Sequence, residues 1–543
     1  MLLEVDNPHY VPCRDELARF AELVKSPEHI HTYRITPLSI WNACATGVDS
    51  ESIVGTLQHY SKYHVPAHVI AEIRDFASRY GRLKLERKDG QLLLTSDDAV
   101  LATEIGANRH IAPFLRGPAG TTGFVVDPGD RGRIKQALIK IGFPAEDLAG
   151  YREGERLDLS LRSLTLGGES FQLRSYQSEA ADIFHAGGSE RGGSGIIVLP
   201  CGAGKTIVGM SCMAALQAST LILVTNVTAV RQWISELIDK TTLREDQIGE
   251  YTGAVKNIRP VTISTYQILT YRRSRDSGFD HMTLFDNRNW GLIVYDEVHL
   301  LPAPVFQITA GLQARRRLGL TATLVREDGR ADDVFALIGP KKVDVPWKEL
   351  EHAGWIAKAR CTEIRVPLPE SSRLSYALAE PRSKFRIASE NPDKLDVVRK
   401  LTTIHSDEQI LIMGMYVDQV KAVAESLGIP ALSGSTPQEK RDRLFADFRS
   451  GTLRVLAVSK VANFSVDLPD ASVAIQVSGT FGSRQEEAQR LGRILRPKAG
   501  ANQAHFFTVI SHDTREQEFA LKRQLFLCEQ GYEYHIEYAD EVV

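Results

Sequence analysis

Apolar residues recur three and four apart over most of residues 1–93, the spacing of amphipathic helices. The stretch "TPLSIWNACATG" opens on a Thr36-Pro37 cap signal and closes at Gly47. "SIVGTLQHYSKY" and "AHVIAEIRDFASRYG" continue the helical spacing, the second ending at Gly81. "RLKLERKDGQLLLT" then alternates apolar and polar positions around Asp89-Gly90, a hairpin signature. Helices followed by a hairpin suit a winged-helix-like module, and other small α+β units as well.

Residues 94–165 change pattern: "TTGFVVDP" predicts a strand, "GDRGRIKQALIKIGF" an amphipathic helix and "RLDLSLRSLTL" an extended segment. A second, small α+β domain is expected there. After Phe171 short apolar runs alternate with helical stretches: "GIIVLP", "TLILVTN", "VTISTY", "LIVYDE" and "RRLGLTAT". That rhythm predicts a doubly wound parallel sheet over residues 166–350. "QILIMG", "RVLAVSKV", "VAIQVS" and "HFFTVIS" repeat it over 351–543. The expected fold is α/β, two tandem lobes preceded by a helical domain and a small α+β domain. Solenoid repeats and low-complexity tracts are not evident.

Length fits this division, since 543 residues exceed what one core accommodates. The longest apolar runs are of strand length, so no membrane span is expected. "MLLEVDNPHY" lacks the basic head and apolar run of a signal peptide, and a cytoplasmic protein is expected. A net charge of −3 does not by itself point to a polyanion. Such a partner must be held locally, as by "YRRSR" (271–275) or "ARRRLG" (314–319), unless these are solvated helix ends or loops. Cysteines at 13, 44, 201, 212, 361 and 528 form no CxxC, which argues against disulfides, zinc ribbons and iron–sulfur clusters. His59, His64 and His68 do not share a helical face, because Pro66 intervenes, so no metal is expected there.

The loop "LPCGAGKT" joins a predicted strand to a predicted helix. Gly202 and Gly204 would bring backbone N–H groups close to phosphate oxygens, at a helix N-terminus that favours negative charge. Lys205 would reach the β- and γ-phosphates and Thr206 would bind Mg²⁺. The usual phosphate loop begins with a glycine where this chain has Leu199. A plain strand–turn–helix with a solvent-facing lysine is the alternative. "WGLIVYDEVHLL" supplies the acids a phosphate loop requires, Asp296 and Glu297, at a strand's carboxyl end where doubly wound sheets bind ligands. Asp296 would hold the metal and Glu297 orient or deprotonate the attacking water.

Thr321 and Thr323 in "GLTATLVRED" lie two apart and could couple the nucleotide site to a moving neighbour, or serve only as strand residues. "SRQEEAQRLGRILRPK" repeats Arg490, Arg493 and, less closely, Arg496 at helical spacing. A basic surface helix is the bland reading. The functional one is a set of guanidiniums that reach the transferred phosphate on closure of two lobes.

Together these stretches resemble the superfamily 2 helicases, and within them the XPB/Ssl2 (Rad25-like) family. "LRSYQ" resembles the family's "LRPYQ", which implies nucleotide contacts by Arg174 and adenine reading by Gln177. "LPCGAGKT" resembles motif I, implying a nucleotide cradle of Pro200, Cys201, Gly202, Ala203 and Gly204 with Lys205 and Thr206. "DEVH" resembles motif II and adds His299 as a coupling residue beside Thr321 and Thr323 of motif III. "SKVANFSVDLP" resembles motif V, with Asp467 toward the nucleotide, although "VANF" departs from the eukaryotic "VGDT". "QRLGRILR" resembles motif VI, with Gln489, Arg490, Arg493 and Arg496. Arg326, Glu327 and Asp328 resemble the family's RED motif, linked to DNA unwinding. "FVVDPGDRGRIKQALIKIGFP" is similar to its damage-recognition domain, and "LPESSRLSYALAEPRSKFRIASENP" marks the place of its thumb-like insertion. The resemblance implies RecA-like lobes and an ATP- and Mg²⁺-dependent 3′→5′ DNA helicase or translocase in excision repair. It implies a monomer that acts on DNA, with a nuclease or a transcription/repair complex as partner. An ATP-gated DNA clamp, a restriction-type translocase and an RNA helicase are the rivals.

Overall fold

The N-terminal residues build a small sheet as well as helices. The computed structural model describes residues 1–543 except 5, 26–29, 46, 151–152, 190–191, 274–279, 286, 302–304, 306–315, 323–333, 335–336, 346, 460–470, 482, 497–501, 533 and 543. β1 (Leu2–Glu4), β2 (Glu22–Lys25) and β3 (Ile30–Arg34) form an antiparallel sheet in the order β1-β3-β2. Helix α1 (Tyr10–Ala18) is followed by α2 (Pro37–Ala45), α3 (Ser50–Tyr60) and α4 (Ala67–Arg79). The expected helices are there; the three short strands escaped the periodicity, which needs longer runs to register. Thr36 caps α2 reciprocally with Ser39: Ser39 N–H donates to Thr36 Oγ1 at 3.1 Å and Thr36 N–H to Ser39 Oγ at 3.0 Å. Cys13, Leu17, Phe20, Ile40, Ile53 and Ile73 are buried together as one core.

The Asp-Gly hairpin forms as read, β4 (Leu83–Lys88) against β5 (Gln91–Ser96), with positive φ at Asp89 and Gly90. Its sheet, however, continues through β6 (Leu115–Pro118), β7 (Gly123–Val126) and β8 (Ala145–Leu148) in the order β6-β7-β5-β4-β8. The boundary expected at residue 93 therefore falls inside a strand. Leu83, Leu85, Leu92 and Leu94 share a core with Leu101 of α5 (Ala99–Ala107) and Ile134 of α6 (Arg131–Lys140). Alternation located the hairpin but could not say which neighbour covers it.

The chain divides into two compact units, Met1–Val198 with Gly204–Asp344, and Leu199–Ala203 with Val345–Val543. The boundary expected at 350 falls within the helix Trp347–His352. In the first unit α7 (Ser175–His185) precedes a parallel sheet of β9 (Ser194–Val198), β10 (Thr220–Val224), β11 (Ile248–Tyr251), β12 (Val261–Thr265), β13 (Leu292–Asp296), β14 (Arg316–Thr321) and β15 (Lys341–Asp344). Its order is β11-β12-β10-β13-β14-β9-β15. α8 (Lys205–Leu216), α9 (Val227–Lys240) and α10 (Tyr266–Leu269) follow β9, β10 and β12. Continuous burial along these strands explains their unbroken apolar runs.

In the second unit β16 (Lys358–Val366), β17 (Ile410–Met413), β18 (Ala431–Leu432), β19 (Val455–Val458), β20 (Val473–Gln476), β21 (Gln503–Ser511) and β22 (Tyr534–Tyr538) pair in the order β18-β19-β17-β20-β21-β16-β22. Numbered within each lobe, both sheets read 3-4-2-5-6-1-7, and their strand pairs are parallel. The stretch marked for a thumb-like insertion forms two short helices, Glu370–Leu378 and Pro381–Ser389. Among the described residues no helix is long and apolar enough to cross a membrane.

Candidate nucleotide site

β9 ends buried at Val198, and the chain turns through Leu199–Gly204 into α8. Gly202 (φ +82) and Gly204 (φ +81) take the left-handed conformation, the hand a phosphate-cradling turn requires. Leu199 is fully buried and takes no positive φ, so the turn needs no glycine there. Ala203 N–H closes the turn on the Pro200 carbonyl at 3.2 Å. Gly204 caps α8, which places Lys205 and Thr206 in its first turn. Gln177 lies against this cap: a Cβ on Gly204 would stand 2.5 Å from its Nε2. Gln177 Oε1 accepts from Arg174 N–H at 3.1 Å, so the two residues expected at the nucleotide close one N-terminal turn of α7.

β13 and β9 both flank β14, so their carboxyl ends lie close together. Lys205 Nζ is 3.4 Å from Glu297 Oε1. Glu297 Oε2 is 3.4 Å from His299 Nδ1, and the same nitrogen is 2.7 Å from Thr321 Oγ1. The lysine, the second acid, the histidine and the first threonine thus form one polar chain across three strand ends. Glu297 is itself left-handed, φ +51, an uncommon conformation for a residue with a side chain.

Asp296 is held on two sides. Its Oδ1 accepts from Glu297 N–H at 3.0 Å and its Oδ2 from the Trp233 indole at 2.9 Å. Burial, and then the charge of Glu297, push its carboxyl up to about 6, against the opposing pull of Trp233 and Lys205. Tyr266 donates its hydroxyl to the Asp296 carbonyl at 3.0 Å, and burial drives that phenol well above its ordinary range. Sequence reading missed both aromatics. Trp233 lies 63 residues from Asp296 and Tyr266 lies 30, and each reads locally as a core position.

The second lobe departs from expectation. The helix bearing motif VI spans Arg484–Leu491 and stops at Gly492, so Arg493 and Arg496 follow it in a turn and share no helical face with Arg490. Arg490 is 1% exposed, and its Nη1 donates to Gln476 Oε1 and, at 3.0 Å, to the Ser478 carbonyl. Burial lowers its pKa. It is an interior strut of its lobe rather than part of a guanidinium face. Gln489 is buried, while Arg493 and Arg496 are partly exposed. Of the basic run at 314–319, Arg317 is fully buried in β14, where it donates to Ser194 Oγ at 3.1 Å, and is no exposed contact for a polyanion. Thr323, Arg326, Glu327, Asp328 and Asp467 lie outside the described residues.

The ERCC3/RAD25/XPB C-terminal helicase family model matches residues 350–541. A model described as type III restriction enzyme, res subunit, matches 170–326, and one described as helicase conserved C-terminal domain matches 1–117, at the amino end of this chain. The DNA 3′-5′ helicase XPB of Mycobacterium tuberculosis is 54% identical over 100% of this chain and 97% of that protein. The Saccharomyces cerevisiae general transcription and DNA repair factor IIH helicase/translocase subunit XPB/SSL2 is 30% identical over 99% of this chain and 71% of that protein. Among solved structures, the ATP-dependent type ISP restriction-modification enzyme LlaBIII bound to DNA matches at TM-score 0.50 and 13% identity, over 68% of this chain and 31% of that one, a likeness of fold.

Proposed function

The chain belongs to the XPB family of superfamily 2 helicases, and we propose that it is an ATP-dependent 3′→5′ DNA helicase of repair whose ATPase sits at the ends of β9, β13 and β14. One observation carries the assignment of the site: Lys205 stands 3.4 Å from Glu297 at the mouth of a glycine turn, with His299 and Thr321 behind. The backbone N–H groups of Gly204 and Lys205 receive the β-phosphate and the Lys205 ammonium the γ-phosphate. Glu297 orients the attacking water and takes its proton. His299, between Glu297 and Thr321, makes the position of the base depend on the end of β14. Arg174 and Gln177 hold the base of the nucleotide.

The residues present fit Mg²⁺. Asp296 and Thr206 offer the hard oxygens it prefers, with phosphate oxygens and water completing the shell. Each Asp296 oxygen takes only one N–H donor in the bonds described, and a carboxyl raised to about 6 beside Glu297 is one that a cation would relieve. When bound, the ion neutralises phosphate charge and polarises the γ-phosphoryl group.

The repair setting and DNA as substrate follow from the relatives' names. As a partner we propose a nuclease or a transcription/repair complex, joined by a monomer, and a place in the cytoplasm or on the nucleoid. The deciding experiment measures ATP turnover and strand displacement on tailed, forked and bubble DNA, with RNA as control. DNA-stimulated turnover with displacement from a 3′ tail is expected. Turnover without displacement means an ATP-gated clamp, and stimulation by RNA alone overturns the substrate class.

A further inference from the structure

Trp233 touches both halves of the nucleotide site. It stands on α9 at 1% exposure, and its indole N–H donates to Asp296 Oδ2 at 2.9 Å. The far edge of the same ring lies on α8: a Cβ added to Gly209 would be 2.6 Å from Trp233 Cη2. α8 carries Lys205 and Thr206 in its first turn, so one rigid ring spans from the phosphate-loop helix to the carboxylate at the end of β13. Tyr266 braces the next atoms along. Its hydroxyl holds the Asp296 carbonyl at 3.0 Å, and that carbonyl belongs to the peptide leading into the left-handed Glu297.

We propose that Trp233 and Tyr266 are positioning residues of the ATPase, Trp233 setting Asp296 against α8 and Tyr266 fixing the Asp296–Glu297 peptide. The proposal rests on the ATPase reading of this site. A buried carboxylate with a free rotamer would sample orientations that do not face the phosphates. A donor on a stiff ring removes that freedom, since an indole N–H deprived of its acceptor is costly to bury. Glycine at 209 is what lets the ring come so close. Partners of this kind, one shell behind a metal-binding carboxylate, cost about 10–100-fold in activity or metal affinity when removed. A merely structural tryptophan would instead change stability and leave catalysis per folded molecule untouched.

The test uses the full chain and four variants: Trp233→Phe, Tyr266→Phe, Gly209→Ala, and Trp233→Phe with Gly209→Ala. Trp233→Phe is expected to lower kcat about 10–100-fold. Calorimetric ADP binding, with Mg²⁺ and with EDTA, is the second readout: the strengthening due to Mg²⁺ should shrink in Trp233→Phe and persist in Tyr266→Phe. Tyr266→Phe, which alters no shape, should lower kcat alone. Gly209→Ala displaces the ring without deleting it and should cost about as much as Trp233→Phe. In the double variant most of its further effect should vanish, because a phenyl ring ends short of Gly209 and the remaining neighbour, Leu320 Cδ1 at 3.2 Å, is the movable end of a side chain. Turnover that falls only with the folded fraction, or additive losses in the double variant, would overturn the proposal. If the unaltered chain turns over no ATP, the functional reading fails, and the Mg²⁺ increment in ADP affinity then decides the role of Trp233 by itself.

Discussion

In the first lobe the fifth strand delivers Asp296 and Glu297 to its carboxyl end; in the second lobe the fifth strand delivers Gln476 and, just beyond it, Ser478. The two sheets have the same strand order, so these positions correspond. Gln476 is closed into its own lobe: its Nε2 donates to Glu487 Oε2 at 3.0 Å, and its Oε1 receives Arg490. Arg523 Nε lies 3.3 Å from the same Glu487 oxygen, and both residues are fully buried. Lys394 and Glu516 make a second interior pair at 2.8 Å. Asp296 and Glu297 lie beside Lys205 instead, and burial beside Glu297 raises the carboxyl of Asp296. Charges matched inside a lobe fix its shape, whereas an excess of negative charge at a strand end is poised for cations and a phosphate chain.

The largest test of this contrast is Glu297→Gln, which should reduce DNA-stimulated ATP turnover about 10³-fold or more while leaving the melting temperature nearly unchanged. Retained turnover would place the base elsewhere. Arg490→Met should do the reverse, costing about 1–3 kcal/mol in denaturant unfolding by leaving the buried Gln476 and Ser478 acceptors without their donor. Intact stability with lost nucleotide binding would return Arg490 to the phosphates.

A smaller effect is expected from pH. Asp296 titrates near 6 in the folded chain against 3.8 in the unfolded one, so between these values the folded state binds the extra proton. Its contribution therefore favours folding below about pH 4 and turns unfavourable as pH rises through 6. Comparing wild type with Asp296→Asn in EDTA, the difference in unfolding free energy should shift by roughly 1–4 kcal/mol across pH 4–7 in favour of the variant. A difference that does not move with pH would mean that Asp296 is not held at a raised value. The smallest effect belongs to the exposed Arg74–Glu51 pair of the N-terminal domain, 2.8 Å apart. Arg74→Ala should leave the melting temperature within error, because water screens such pairs; a clear drop would show that distance alone, rather than burial, separates scaffold from surface.

The residues of the candidate site stand out in the sequence where chemistry and local geometry coincide. Gly202, Gly204 and Lys205 sit in one turn, and Asp296 with Glu297 at one strand end, so neighbouring letters announce them. Arg490 was read on one helical face with Arg493 and Arg496 because the spacing was extended past Gly492, where the helix stops, and because spacing does not report which side of a helix is buried. The Asp89-Gly90 hairpin was legible for the same local reason as the phosphate turn, yet its membership of the five-stranded sheet was not.

By itself the sequence determined the α/β class, the tandem lobes, the glycine turn and the acids opposite it. All of these follow from apolar period, backbone freedom and charge within a few residues. Only the tertiary structure decided that His299 bridges Glu297 to Thr321, that Trp233 and Tyr266 grip Asp296, and that Arg490 is buried inside its own lobe. Those contacts join residues 22 to 63 positions apart or depend on which face is covered. Their partners are chosen by strand order and packing, which no local pattern encodes.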